Sequence, residues 1–160
     1  MDFIIEFFKT NFTKEVAVFI LSMIPIIELR GAIPVGLSLG IPYKETFLLS
    51  FLGSSLPAIP IVFLIGYVFF LLRKIGFFDR LITKITEKTL KKKEQIEKYG
   101  YVGLFLFVAI PLPGTGVWTG SLLSHLLGMK KLPSLFAVIV GNLTAGLIVS
   151  AISGGIMSLF

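Results

Sequence analysis

The chain has 160 residues, 55% of them hydrophobic, 13% aromatic with 16 Phe, and only 15% charged. At a mean hydropathy of +0.94, a domain of this size has too little interior to hide its apolar residues from water, so a soluble globular fold is excluded and an all-α integral membrane protein is implied. The absence of cysteine excludes disulfides and thiolate chemistry, and a single histidine, His125, leaves no cluster for a metal, so no cofactor is expected.

Met1 to Lys14 places Phe3, Ile4, Phe7 and Phe8 near one helical face, with Asp2, Glu6 and Lys9 elsewhere, which predicts an interfacial helix. Its acids stand where a secretory signal has positive charge, so the segment is expected to stay in the mature protein. Val16 to Ile27 is almost wholly apolar but shorter than the roughly 20 residues a crossing needs. The stretch Pro25 to Pro34, Pro-Ile-Ile-Glu-Leu-Arg-Gly-Ala-Ile-Pro, then puts an acid, a base, a glycine and two prolines inside an apolar field. Proline removes a backbone donor, and Glu28 and Arg30 are costly in lipid unless paired or hydrated, so the stretch predicts a broken helix lining a cavity. Thr46 to Leu72 is an apolar run long enough to span, despite Pro57 and Pro60.

Arg73 to Tyr99 is strongly basic. Phe78, Leu81, Ile82 and Ile85 recur at i, i+3, i+4 and i+7, so its first half predicts an amphipathic helix suited to anionic headgroups. Basic loops stay inside, which makes this linker cytoplasmic and the protein a resident of the cytoplasmic membrane. Tyr101 to Ile110 resumes the apolar pattern, which breaks again at Pro111-Leu112-Pro113-Gly114-Thr115-Gly116. Trp118 to Gly128 is a second short arm, Lys130 to Pro133 a surface turn, and Ser134 to Phe160 a last span whose Gly141, Gly146 and Gly154 permit close helix packing.

One ungapped shift of 88 residues pairs Phe19 with Phe107, Pro25 with Pro113, Gly40 with Gly128, Gly53 with Gly141 and Gly66 with Gly154. This predicts a duplication within one membrane domain: repeat one over about 15–72, the linker over 73–99, repeat two over about 101–160. Each arm beside a break has roughly 10 to 13 residues, the length of a re-entrant segment rather than a crossing. Each repeat is therefore expected to be a re-entrant helical hairpin plus one transmembrane helix, and with one crossing per repeat the two repeats are inverted. Four full spans satisfy the Lys and Arg distribution equally well.

In the hairpin arrangement each outgoing arm is expected to begin just after a glycine, Gly31 and Gly116, presenting its N–H groups and positive dipole end at membrane depth. With Arg30 as the cation, Gly114, Thr115 and Gly116 as donors and Trp118 against an apolar tail, the pattern predicts a site for an anionic amphiphile. Glu28 and His125 are candidate proton relays. The i, i+2 spacing of Glu28 and Arg30 puts them on different faces of a helix, so their pairing requires the break itself or the other repeat.

The runs Glu28-Leu29-Arg30-Gly31-Ala32-Ile33-Pro34 and Pro111 to Gly120 resemble the paired motifs of the small multidrug export protein family over nearly the whole chain. More distantly, Ile110 to Gly128 with Met129 and Gly141 resembles the DedA and VTT membrane proteins. That resemblance implies two opposed re-entrant hairpins and movement of phospholipids or polyprenyl phosphates between leaflets. The expected substrate-binding residues at the two motifs are Glu28, Arg30, Gly31, Pro34, Pro113, Gly114, Thr115, Gly116 and Trp118. Where the DedA pattern has arginines flanking the second proline, this chain has Ile110 and Gly116, leaving Arg30 as the expected cation. A proton-coupled exporter of cationic drugs using Glu28, and a non-transporting scaffold, are the alternatives. An enzyme is not expected, because no catalytic set lies near the breaks. The expected partners are a membrane lipid or amphiphile and further copies of the chain, as a homodimer or larger assembly, without nucleic acid.

Overall fold

The computed structural model describes residues 13–157, and all the regular elements among them are helices. The interfacial helix expected over Met1 to Lys14 lies outside the described residues apart from its last two positions. Eight helices follow in order: α1 (Lys14–Met23), α2 (Glu28–Ser38), α3 (Tyr43–Ser55), α4 (Ala58–Leu72), α5 (Gly76–Leu90), α6 (Glu94–Ala109), α7 (Val117–Leu126) and α8 (Lys131–Met157). They form two compact units, one made of the chain up to Pro57 together with the residues from Asn142 onward, the other of Ala58–Gly141. The boundaries therefore cut through both long apolar stretches.

In the first unit α1 starts at Thr13, whose hydroxyl accepts from the Val16 amide, one of the helix-end donors left without an intrahelical partner. It ends at Met23, just before Pro25, and the chain turns back into α2. Both arms pack along α3. The closest approach is at Gly53, where an added Cβ would meet the Phe19 carbonyl oxygen at 2.5 Å. Leu29 and Ile33 of α2 form a core with Ala145 and Val149 of α8. Tyr43 lies beside Gly154, Phe47 beside Gly146, and Asn142 Nδ2 donates to Ser54 Oγ at 2.8 Å and Ser55 Oγ at 2.9 Å. Those three pairings set α3 antiparallel to this part of α8.

Gly40 ends α2 at φ 76°, a conformation glycine takes without strain. The Ile41 amide then bonds back to the Gly36 carbonyl at 3.2 Å, closing the helix end. In the second unit Gly128 does the same for α7 at φ 66°, with the Met129 amide on the Ser124 carbonyl at 2.9 Å.

The second unit is built around Ala58, Ile96, Leu104, Phe107, Val108, Val117 and Leu123. Gly120 meets Val108, and Gly141 meets the Phe105 carbonyl and Val108. Helix α6 is interrupted at Gly100 (φ 58°, ψ −129°), so its first turns bend away from Tyr101–Ala109. The amphipathic helix expected in the linker is α5. Its Ile82 is buried, Leu81 and Ile85 remain exposed, and the helix docks on α7 and α4.

Two stretches are long and apolar enough to cross a membrane, Tyr43–Leu72 with 30 residues and Lys131–Gly154 with 24. The first contains a turn at Leu56–Pro57, where the proline has no amide to continue the ladder. Large apolar side chains stay exposed along both, among them Leu48, Leu52, Leu64, Phe136, Leu147 and Ile152. Such rows suit lipid rather than water.

Candidate functional site

Each unit holds one of the two sequence breaks. In the first unit, α2 begins at Glu28 rather than after Gly31, which corrects the expected position of the arm's start and puts Arg30 and Gly31 in its first turn. The start is marked by the backbone of Glu28, the non-glycine residue with positive φ among the described residues, at 48°. Left-handed geometry in a residue carrying a Cβ is strained by about 1–2 kcal/mol, and such strain concentrates at functional positions. The Glu28 amide is held by the Ile24 carbonyl at 2.9 Å. Its side chain, almost fully buried, accepts from Arg30 Nη1 at 3.0 Å. The left-handed turn is what lets two residues at i, i+2 meet, so the break itself makes the pair.

Gly31 is required by the same turn, since a Cβ there would lie 2.7 Å from Ile27 Cγ2. Pro34 sits inside α2 and cannot donate to the Arg30 carbonyl, as a regular helix would.

In the second unit Gly114 (φ 77°) and Gly116 (φ 125°, ψ −169°) bend the loop after Pro113, and Gly116 caps the start of α7 at Val117. Here the expected start just after the glycine is met. The Thr115 hydroxyl lies 2.8 Å from the Leu112 carbonyl and 3.0 Å from that of Ile110, so it satisfies the loop's own backbone. The Gly114 carbonyl accepts from Lys92 Nζ, a linker residue. Lys91, Lys92 and Glu94 line a cavity of about 260 Å³ with Leu112, Pro113 and Thr115. Arg30 is therefore not the sole cation at a break. The expectation counted Lys92 only among the charges of the cytoplasmic linker, whereas here it reaches the loop of the second break.

Trp118 borders an apolar cavity of about 270 Å³, with Ile61, Ile65 and Phe69 on one side and Ile85, Thr89, Thr119 and Leu122 completing it. The His125 ring makes no hydrogen bond among the described residues. It lies against Gly66, where a Cβ would sit 2.5 Å from the imidazole Cε1. That contact explains the glycine at Gly66 by close packing, and Glu28, the other candidate relay, belongs to the first unit.

A row of small polar residues was also missed. Thr46, Ser50 and Ser54, spaced by four along α3, are fully buried in the first unit, as are Asn142 and Ser150 of α8. The i, i+4 spacing was the available signal.

The family model described as Putative small multi-drug export protein matches residues 28–148, about three quarters of the chain, including both breaks and the linker. No curated protein and no solved structure matches the chain.

Proposed function

We propose that this chain, which belongs to the small multi-drug export protein family, is a membrane transporter that moves an amphiphile with an anionic, phosphate-bearing headgroup between leaflets. A phospholipid or a polyprenyl phosphate has this chemistry. The observation that carries the proposal is the charge at the breaks: the Glu28 carboxylate is already answered by Arg30 at 3.0 Å, while the second break receives Lys92 beside the N-terminus of α7. An ammonium and a helix N-terminus both favour an anion and oppose a cation. The cavity beside Trp118 is apolar enough to take part of a hydrocarbon tail.

The architecture we propose is two inverted repeats, each a re-entrant hairpin and one crossing helix, with the linker in the cytoplasm. Coincident helix ends support it. At a spacing of 88, α2 ends at Ser38 and α7 at Leu126, while α3 begins at Tyr43 and α8 at Lys131. The closing bonds Ile41 to Gly36 and Met129 to Ser124 obey the same spacing. The arms α1, α2 and α7 have 10, 11 and 10 residues, half a crossing. Two crossing helices per chain leave much polar break backbone to be shielded from lipid, so the working form is a homodimer or larger assembly. Gly141 and Gly146 already make close contacts within the chain, so other residues supply that interface.

The family's description favours a second reading, drug export, in which the drug is cationic and Glu28 is the exchangeable acid. Charge variants in proteoliposomes separate the two. Glu28→Gln together with Arg30→Gln leaves no orphan charge, and Lys92→Gln removes the second cation. A charged hydrogen bond contributes about 1.5–3 kcal/mol, so each variant should slow transfer of a fluorescent phospholipid about tenfold or more. Wild-type lipid transfer in both, with loss of cationic dye export in the Glu28 variant, supports the drug exporter instead.

A further inference from the structure

Two hydroxyls in the first unit have no hydrogen-bond partner among the described residues although both are at least 99% buried: Ser50 Oγ and Ser150 Oγ. A serine in an apolar helix ordinarily donates to a carbonyl one turn back, as Ser22 and Ser54 do here. An orphaned buried hydroxyl costs about 1–3 kcal/mol.

The register shows where both point. Phe47 faces Gly146 and Ser54 faces Asn142, and Ser50 lies between them on the same side of α3. Ser150 continues the series Asn142, Gly146, Gly154 at steps of four on the facing side of α8. Both orphans therefore lie in the α3–α8 seam, whose far end is lined by Ser54, Ser55 and Asn142 hydrogen-bonded together. Between that end and Ser150, Leu29 packs beside Gly146, and Glu28 precedes Leu29 by one residue.

We infer that the α3–α8 seam is an aqueous route, carrying water and with it protons along the crossing helices to the Glu28–Arg30 pair. Water is the ligand that suits two neutral hydroxyls, because it both donates and accepts and bridges groups too far apart to bond directly. The route gives the buried ion pair the hydration that lipid cannot. It rests on the reading that both helices cross a membrane and not on what the protein transports.

The chain contains no cysteine, so single variants Ser50→Cys and Ser150→Cys report on their sites alone, and the change is nearly isosteric. The protein is reconstituted in liposomes and treated with 2-aminoethyl methanethiosulfonate, which attacks only an ionised and therefore hydrated thiol. Leu52→Cys and Leu147→Cys, on outward faces, are the dry references. Both serine positions should react about tenfold or more faster than the references, since a thiol in lipid stays protonated. If the serine positions are silent like the references yet react after denaturation, the seam is dry and the inference is overturned. Fast reaction at all four positions overturns it together with the membrane-crossing reading.

Discussion

Asn142 Nδ2 lies 2.8 Å from Ser54 Oγ, and the two residues are 88 positions apart, the shift that pairs Gly53 with Gly141 in the sequence. Counterpart positions of the two long helices thus meet each other directly. The bond makes Asn142 a specific holder of the helix pair, because one amide serves two hydroxyls on neighbouring residues.

Asn142→Leu should lower stability by about 1 kcal/mol, in line with hydrogen bonds between helices in membranes. Ser54→Ala should cost less, since Ser55 still accepts at 2.9 Å. Thermal unfolding in detergent micelles measures both. A neutral Asn142→Leu would mean that the bond holds nothing.

Gly53→Ala and Gly141→Ala should each destabilise by about 1–3 kcal/mol, because the new methyl meets a backbone carbonyl that cannot move aside. The approaches are 2.5 Å to Phe19 and 2.8 Å to Phe105. Gly76→Ala, where nothing lies within 4 Å of the added carbon, should be neutral or slightly stabilising. Equal melting temperatures for all three variants would contradict the packing described.

Much of this was legible in the residues, and the failures have physical causes. Pro25 with Glu28 and Arg30, and the run Pro111 to Gly116, announced both breaks because such groups do not sit in a regular lipid-facing helix. The start of α7 followed from Gly116. The start of α2 did not follow from Gly31, since it depends on Glu28 adopting a left-handed backbone that its residue type disfavours. Lys92 was invisible because reaching Gly114 depends on the bend at Gly100, and a lone glycine before an apolar run does not specify its direction. The Thr46, Ser50, Ser54 row was visible as spacing but silent about which hydroxyls lack partners.

Both termini should lie outside the cytoplasm and the linker inside. Reporters fused after Phe160 and impermeant labels at linker positions such as Lys84 test this in intact cells. Cytoplasmic signals from both positions would replace the inverted hairpins with four full spans.

The central claim, that the breaks receive an anionic headgroup, is tested most directly by two fluorescent amphiphiles with the same tail, one bearing a phosphate and the other a quaternary ammonium. Their transfer between leaflets is followed in liposomes containing the wild-type protein. Faster transfer of the phosphate compound, above protein-free liposomes and by about tenfold over its ammonium twin, is the predicted result, a difference equivalent to about 1.4 kcal/mol. Transfer of the ammonium compound alone would contradict it.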